Sequence, residues 1–405
     1  MQKFWLMCVL LMAVSTSSAR DLLEIEITSG VRTESKVEVP AQITVISREE
    51  IMRSHHNSVS DVLRGKTGFQ VTDLRGDGAD TNISLRGFSQ TANANVLILV
   101  DGRRLNYADT RNPDLSHISL QDVERIEVIQ GSAGTLYGDQ AVGGVVNIIT
   151  RRTEARLLQA SASLGSYGRG QMSVAVGEQL DNGLSWRVAL DTLNTDGYRD
   201  HSARSFASVN SLINYDYDRG NLFLEAQVVK DDLELPGALL EADYDEDRRQ
   251  INAGFANDYS DSDVAVIRAG IRHRLSNHWH FETELSSRET DQDLTQSFQN
   301  LPSPDGGYGR RNAISFNPRL IGSYGLHNGE MLWTLGADIE SNHYRVFIPN
   351  AFGATSQSND QHTGALYAQL VYPVSAKLGL TTGLRVASVD NDLWDAAVFP
   401  VNQAV

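Results

Sequence analysis

The chain carries 51 acidic residues and 10 histidines, but few are spaced as catalytic groups or metal ligands. His278 and His280 flank Trp279 on a predicted strand, so both imidazoles share one face, as iron or haem ligands would. Their place beside a predicted short turn favours interface residues of an aromatic belt instead. No nucleophile is grouped with a base, so the sequence does not indicate an enzyme.

One segment concentrates carboxylates that could bind Ca²⁺, which prefers several oxygen ligands. The spacing does not match an EF-hand, so a solvated surface loop is the alternative. No other cofactor is expected. The acidic residues are Glu234, Glu241, Asp243, Asp245, Glu246 and Asp247.

A glycine-rich stretch, Gly131-Ser132-Ala133-Gly134, follows a predicted strand and so resembles a phosphate-binding loop in position. No helical period follows it, and no Lys-Ser/Thr pair closes it, so we interpret these glycines as turn residues. The net charge of −16 also argues against a nucleic-acid partner, because phosphate contacts need a basic surface.

The first 19 residues have the pattern of a secretory signal peptide. Lys3 supplies the positive start, residues 4–14 are the apolar core, and Ser17-Ser18-Ala19 offers a cleavage site. The apolar run is too short to cross a bilayer as a helix. The single cysteine, Cys8, lies inside this segment, so the mature chain needs no protection from an oxidising compartment.

Between residues 39 and 152, strand and helix signals alternate over a length sufficient for a separate core. Ser47 begins a capping box, Ser58 and Ser119 begin two further short helices, and Asp101-Gly102 predicts a tight turn. These signals predict a mixed α/β domain. Its strands are predicted at 42–46, 68–71, 82–87, 96–100, 126–130 and 145–150.

After residue 153 the pattern changes to long runs of period two. Leu184, Trp186, Val188 and Leu190 alternate with polar or small residues, and similar runs occupy 331–340 and 377–386. Alternation over ten or more residues is typical of transmembrane β-strands, which are longer than those of soluble sandwiches. The sequence therefore predicts an antiparallel transmembrane β-barrel.

Connections between these runs alternate between short and long, as expected for periplasmic turns and outer loops. Counting them gives about eleven strands between 155 and 389. The count requires that 247–262 belongs to an outer loop, although 251–259 could also be a strand. Short turns are expected near 181–183, 218–220, 276–277, 327–329 and 373–374, and long loops near 195–203, 233–262, 291–310 and 347–360.

Three motifs of the N-terminal half occur in one family order: NISLRGF at 82–88, VLILVDGRRLN at 96–106, and SLQDVERIEVIQGSAGTLYGDQAVGGVVNIIT at 119–150. This half, from about residue 21 to 152, resembles the plug domain of TonB-dependent outer-membrane transporters. The resemblance implies a signal peptide at 1–19, a TonB-box segment and linker at 20–38, a plug at 39–152, and the N-terminal part of a barrel at 153–405. Because plugged barrels have about 22 strands, about 11 strands predict a fragment.

The resemblance also implies contact residues. A TonB box is an extended peptide that TonB captures as an added strand, and two polar loops match the apical ligand contacts of the family, with ordinary surface loops as the alternative. The expected TonB-binding residues are Leu23, Glu24, Ile25, Glu26, Ile27 and Thr28; the expected ligand contacts are Arg75, Asp77, Asp80, Tyr107, Asp109 and Arg111.

Arg86 lies in a predicted strand of apolar and small residues, where an unpaired guanidinium would be costly. In the family, the arginine of this RGF motif pairs with barrel glutamates and locks the plug. A second locking arginine is usual, but Gln130 stands near that place, so anchoring should be weaker or rest on Arg125 or Arg86. Glu124 and Glu127 are further lock candidates, or else local partners of Arg125.

The function that the resemblance implies is ligand-gated, TonB-dependent import of a ferric siderophore or cobalamin across the bacterial outer membrane. The expected partners are TonB with its inner-membrane energising complex, the ligand, and outer-membrane lipid or lipopolysaccharide around a monomer. The alternative is a truncated, non-transporting receptor fragment whose plug folds alone.

Overall fold

The computed structural model describes residues 42–398 except 55, 57, 67, 74–80, 110, 132, 154, 298–300 and 376–377. The predicted TonB-binding residues 23–28 and the predicted ligand contacts Arg75, Asp77 and Asp80 lie outside the described residues. The described chain forms an N-terminal α/β domain followed by one large antiparallel sheet. In the described part, no helix combines the length and apolar character needed to cross a membrane.

The N-terminal domain is built on seven short strands. They are β1 (Gln42–Ser47), β2 (Phe69–Asp73), β3 (Thr81–Leu85), β4 (Val96–Val100), β5 (Arg103–Arg104), β6 (Val123–Gln130) and β7 (Gly144–Thr150). Five form a mixed sheet in the order β1-β6-β7-β4-β5, in which β4 and β7 are parallel. The strands β2 and β3 form a separate antiparallel pair. Each predicted strand is confirmed, with ends shifted by a few residues.

The short helices begin where the capping residues predict. The Ser47 hydroxyl accepts from the Glu50 amide at the start of α1 (Arg48–Arg53), and the Ser58 hydroxyl accepts from the Asp61 amide at the start of α2 (Val59–Arg64). The helix predicted at Ser119 is a single 3₁₀ turn. A four-residue helix, α3 (Gly134–Tyr137), follows the glycine-rich stretch, where no helix was expected.

The core of this domain is apolar and closed. Ile46, Leu63, Leu85, Val128 and Ile148 are each at most 1% exposed and belong to one buried cluster. At the rim, Asp101 (φ 49°) and Gly102 (φ 88°) turn the chain between β4 and β5, as the Asp-Gly pair predicts. The domain therefore has a packed interior of its own, apart from its contacts with the sheet that follows.

Residues 157–398 form the large sheet, called the wall below. Its strands are β8 (Leu157–Leu164), β9 (Gly170–Gln179), β10 (Leu184–Thr195), β11 (Arg204–Tyr217), β12 (Gly220–Glu234), β13 (Tyr259–Arg274), β14 (Trp279–Thr295), β15 (Gly307–Phe316), β16 (Arg319–Leu326), β17 (Gly329–Asn350), β18 (Gly353–Ser375) and β19 (Leu378–Val398). Each pairs with its neighbours in antiparallel register.

The predicted count of eleven strands is confirmed. β15 and β16 are two parts of one passage, because both pair with β14 and β17. The interruption falls at Asn317-Pro318, where proline has no amide hydrogen for the ladder. The doubtful segment is loop as far as residue 258, and β13 begins at Tyr259. The helix α4 (Glu241–Glu246) and a 3₁₀ turn precede it.

One loop prediction is wrong. A long loop was expected near 347–360, but β17 and β18 continue to a two-residue turn, with Asn350 paired to Gly353. Pro349, Asn350 and Gly353 are turn formers, which explains the prediction. The ladder of backbone hydrogen bonds extends to the turn itself, so only Ala351 and Phe352 stay outside it.

The wall has an inverted distribution of side chains. Along β10, Trp186, Val188 and Leu190 are exposed, whereas the alternating Arg187 and Asp191 are buried against the N-terminal domain. A sheet with apolar residues outward and polar residues inward is the arrangement of a membrane barrel. The interior of this sheet is therefore filled by another part of the same chain.

We expect the Leu63→Ala substitution in α2 to lower the free energy of unfolding of the N-terminal domain by about 2–5 kcal/mol, because it opens a cavity in a fully buried cluster. Met52→Ala on α1, where Met52 is 41% exposed, is the control and should change it by less than about 0.5 kcal/mol. Native-state hydrogen exchange of β6 and β7 amides in the whole chain measures both. Equal effects would contradict the assigned core.

Candidate functional site: the plug interface and the outer cavity

The N-terminal domain is held to the wall by arginines that project from the wall strands. Arg268 on β13 is 2% exposed and lies between two carboxylates of neighbouring strands. Its Nη1 donates to Glu225 at 2.6 Å, and its Nη2 donates to Glu284 at 2.8 Å. The same Nη2 also donates to the backbone carbonyl of Asp101 at 2.9 Å. One guanidinium thus joins two wall strands to the β4–β5 turn of the other domain.

Strand register explains this network. Glu225 is the direct cross-strand partner of Arg268, and both face inward because the neighbouring Ile267 points outward and is 54% exposed. A buried ion pair has a large desolvation cost, which is offset only when every donor and acceptor is used. The carbonyl of Asp101 supplies one more acceptor for Arg268, and this bond exists only when the N-terminal domain is in place.

This arrangement brings several arginine side chains close together. Arg103 on β5 is 7% exposed. Burial, followed by repulsion from Arg288 and Arg268, lowers the pKa of Arg103 to about 10. Its guanidinium remains charged at neutral pH, so nearby carboxylates must balance it.

A second contact surrounds Tyr107. Arg288 on β14 donates to the carbonyls of Leu105 at 2.7 Å and Asn106 at 3.2 Å, and its guanidinium lies 4.4 Å from the Tyr107 ring centroid. The guanidinium of Arg311 lies 5.4 Å from the same centroid, and its Nε donates to Asp109 at 2.8 Å. Stacking on an aromatic face stabilises a guanidinium most where water is excluded.

The three described ligand candidates therefore contact the wall. Tyr107 is 7% exposed, Asp109 pairs with Arg311, and Arg111 donates to Gln292 on β14. In this state their polar groups are engaged within the protein. A role in ligand binding stays a prediction, and it would require these contacts to exchange.

A third contact joins the segment 116–122 to β10 and β11. Arg187 pairs with Asp122, and the Ser119 hydroxyl donates to Asp191 at 2.6 Å. Arg204, at the start of β11, donates to the Ser116 hydroxyl at 2.7 Å. Each of these wall residues faces inward at a position that alternates with an outward residue.

His117 lies in the same segment, with Nε2 3.3 Å from a carboxylate oxygen of Asp114 and 3.3 Å from one of Asp231 on β12. Burial alone would lower the pKa of His117, but the two carboxylates outweigh it and raise the pKa above its usual value. The electrostatic potential at this nitrogen therefore favours positive charge.

The predicted lock residues differ in their surroundings. Arg86 is exposed and follows the end of β3 with φ 55°, so the prediction that it lies within a strand is wrong, whereas its role as a lock stays a prediction. Arg125 donates to Glu127 at 2.7 Å on the same strand, and Glu124 is 3.9 Å from Arg151. The Arg125–Glu127 pair is the local pairing that the sequence left as the alternative, whereas Glu124 has Arg151 rather than Arg125 as its neighbour.

In the described part of the interface, both sides supply arginines. The plug contributes Arg104, which lies 3.5 Å from Glu340 on β17, and Arg111, which donates to Gln292 on β14.

Sequence reasoning missed Arg187, Arg268 and Arg288. The sequence does contain an indication of them, because each places a charged side chain on the inward face of a long alternating strand. A charge on that face needs a partner inside the barrel. The partner in the plug cannot be read from periodicity, because it comes from a different domain.

A cavity of about 1000 Å³ lies at the end of the wall where the longer loops connect the strands. Ser116 and residues 118–121 of the N-terminal domain form one side of it, and the ends of β10 and β12 with the loops that follow them form another. Tyr167 and Tyr198 line it and meet edge to face with centroids 5.5 Å apart. Four arginines and four carboxylates line it, so no single sign of charge dominates.

Two other candidate groups do not contribute to this site. His278 stacks on Tyr324 with centroids 4.5 Å apart beside the β13–β14 turn, which fits an aromatic belt. The acidic residues Glu241 and Asp243 lie on the exposed helix α4. Among the described residues, the three-ligand group found is instead Asp114, His117 and Asp231. Calcium binding by the acidic loop stays a prediction.

Comparison with known proteins agrees with this architecture. Residues 35–145 match the family described as TonB-dependent Receptor Plug Domain. The vitamin B12 transporter BtuB of Vibrio cholerae serotype O1 is 28% identical over 306 residues, which are 72% of this chain and 47% of BtuB. The iron-regulated outer membrane virulence protein of the same species is 37% identical over 218 residues, or 48% of this chain and 32% of that protein.

Among solved structures, the unliganded ferric citrate transporter FecA superposes with a TM-score of 0.74 and 19% identity. The superposition covers 89% of this chain and 57% of FecA, so the shared feature is the fold. The chain spans about half the length of the first of its curated relatives. The wall corresponds to part of a barrel of this type.

We expect Arg268→Met to destabilise the plug-bound state by about 3–5 kcal/mol, because it leaves Glu225 and Glu284 buried without a cation. Arg310→Met is the control: Arg310 pairs with Asp293 at 2.7 Å, but both side chains are well exposed, so the change should be below about 1 kcal/mol. The stability of both variants is measured by denaturant unfolding, with protease cleavage at the β4–β5 turn as the readout. Similar midpoints for the two variants would refute the importance of the network.

Proposed function

Because the chain belongs to the TonB-dependent outer-membrane receptors, we propose that it takes part in ligand-gated import of a scarce nutrient across the bacterial outer membrane. The observation that carries this proposal is that segment 116–122 both borders the outer cavity and binds the wall. Ser116 and residues 118–121 line the outer cavity, and Ser116, Ser119 and Asp122 bind the wall. A ligand in the cavity would touch the residues that hold the plug.

The coupling follows from this shared segment. A ligand shifts the plug between two states only if it binds one more tightly than the other. Contact with Ser116 or Ser119 would compete with the hydrogen bonds to Arg204 and Asp191, so occupancy of the cavity would favour a loosened plug. The contacts around Arg268 and Tyr107 lie outside the cavity lining and would keep the plug in the barrel until force is applied.

The proposed ligand is a ferric siderophore or cobalamin. This proposal is supported by the similarity to BtuB, a vitamin B12 transporter, and to FecA, a ferric citrate transporter. The paired tyrosines would suit a ligand with an apolar face, and the balanced charges of the cavity select neither ligand over the other.

The proposed energy source is TonB, acting with its inner-membrane complex. Leu23-Glu24-Ile25-Glu26-Ile27-Thr28 would pair with TonB as an added strand, in which backbone hydrogen bonds give the affinity. The outward apolar face of the wall would lie in outer-membrane lipid, with lipopolysaccharide around the loops. No chemical step is required of the protein, so it is not proposed to be an enzyme.

We expect Tyr198→Ala to weaken binding of the ligand by about tenfold, which corresponds to about 1.4 kcal/mol, because Tyr198 lines the cavity and supports Tyr167. Tyr244→Ala is the matched control, since Tyr244 is 52% exposed on α4 and does not line the cavity. Whole cells are titrated with labelled cobalamin and with a panel of labelled ferric siderophores. If the control weakens binding equally, the cavity is not the site.

We expect Ile25→Pro or Ile27→Pro to abolish uptake while ligand binding persists, because proline removes a backbone donor from the added strand. Thr33→Pro, in the linker, should leave uptake near the wild-type level. Accumulation of labelled ligand in energised cells is compared with binding at low temperature. Unchanged uptake in the Ile25 and Ile27 variants would exclude a TonB-coupled mechanism through this segment.

A further inference from the structure

One buried group at the plug interface has no part in the proposed import mechanism. Asp114 and Asp231 are 4% and 4% exposed, and the Nε2 atom of His117 lies 3.3 Å from an oxygen of each. This nitrogen is buried, yet it makes no hydrogen bond with any of the described residues. Two residues come from the plug and one from wall strand β12, so the group spans the interface.

The distances fit a tetrahedral cation. Nitrogen and oxygen ligands lie about 2.0–2.1 Å from Zn²⁺, and two corners of such a tetrahedron are about 3.3 Å apart. Both separations from His117 Nε2 have this value, and all three ligand atoms lie within 4.8 Å of one another. A hydrogen bond would instead require the imidazole to point at one oxygen.

The carboxylates are oriented by neighbours, as ligands of a metal usually are. The Oδ1 atom of Asp114 accepts from the Ser116 amide at 2.9 Å and from its hydroxyl at 2.6 Å, which leaves Oδ2 for His117. Asp231 is held by the fork of Arg204 at 2.8 Å through each oxygen, and its Oδ2 also faces His117.

We propose that Asp114, His117 and Asp231 form a binding site for a divalent transition-metal cation of the Zn²⁺ class, which joins the plug to the wall. One imidazole and two carboxylates suit Zn²⁺, whereas Ca²⁺ takes six to eight oxygens. Three protein ligands leave one coordination position for solvent or another donor.

Such a cation would restrain the plug. It would bind the segment 114–117 to β12 next to the residues that line the outer cavity. Because the site exists only while plug and wall are together, binding of the cation would stabilise that state by linkage. The inference depends on this interface and is independent of which nutrient is imported or whether import occurs.

The test uses the whole chain purified from outer membranes, freed of metal with a chelator and titrated with Zn²⁺ alone. Binding is followed by calorimetry and metal analysis, and Co²⁺ serves as a spectroscopic probe of tetrahedral geometry. We expect one tightly bound cation per chain. His117→Gln and Asp231→Asn should weaken binding by about a hundredfold or more, because even residues that only orient a ligand contribute about 10–100-fold.

Two further variants keep the result interpretable. Ser116→Ala keeps the ligands but removes the hydroxyl that orients Asp114, and should weaken binding about tenfold. His343→Gln alters another His–Asp pair, with Asp360, and should leave binding unchanged. No tight binding by the wild type, or equal loss in the His343 variant, overturns the proposal. If the wild type binds no Zn²⁺ and the His117→Gln variant nevertheless loosens the plug, a protonated imidazole bridges the two carboxylates instead of a metal.

Discussion

The position of the plug depends on guanidinium groups that the wall directs inward. Arg268 is the clearest case, because it is 2% exposed and already pairs with two carboxylates from its own sheet. Those pairs do not use every donor, and the carbonyl of Asp101 accepts a further bond. Arg288 likewise donates to two backbone carbonyls of the plug. Backbone carbonyls are available only where the plug chain passes, so these bonds select one position for the domain.

This arrangement explains how two parts of opposite character fold together. The plug has a closed apolar core of its own, while the wall turns its apolar side chains outward and its charges inward. The inward face of the wall also carries a buried apolar cluster of Phe206, Val229, Val264 and Val266, so hydrophobic burial contributes to the interface. Specific hydrogen bonds add the directionality that fixes the position of the plug. Their net value is modest, because desolvation of buried charges offsets most of the attraction. An interface of this kind can therefore be rigid in one state and still separable.

The contacts also differ in their relation to the outer cavity. Those of segment 116–122 are next to it, whereas those of Arg268 and Tyr107 lie apart from its lining. A signal that begins in the cavity would reach the first group directly and the second only through the plug. The plug core is well packed, so it would transmit a displacement as a body. Loosening of one end and retention at the other are compatible in such a structure.

By itself, the sequence determined the elements and their faces. Capping serines, the Asp101-Gly102 turn and period-two alternation are local signals, and they predicted the plug helices, a tight turn and eleven wall strands. The two-residue turn at Ala351-Phe352 was missed, because turn formers near a strand end look the same inside a long ladder as in a loop.

Only the tertiary structure decided which charges meet. His117 and Asp231 are far apart in the chain, as are Asp101 and Arg268, and periodicity states the face of a residue but not what lies opposite. The family motif pointed to Arg86 as the lock, and that role stays a prediction; the arginines that contact the other domain in the described interface include Arg268 and Arg288 of the wall, which no motif indicated. Pairing across two domains depends on how one body is seated in the other. That seating results from the sum of many weak contacts, which no local pattern in the sequence records.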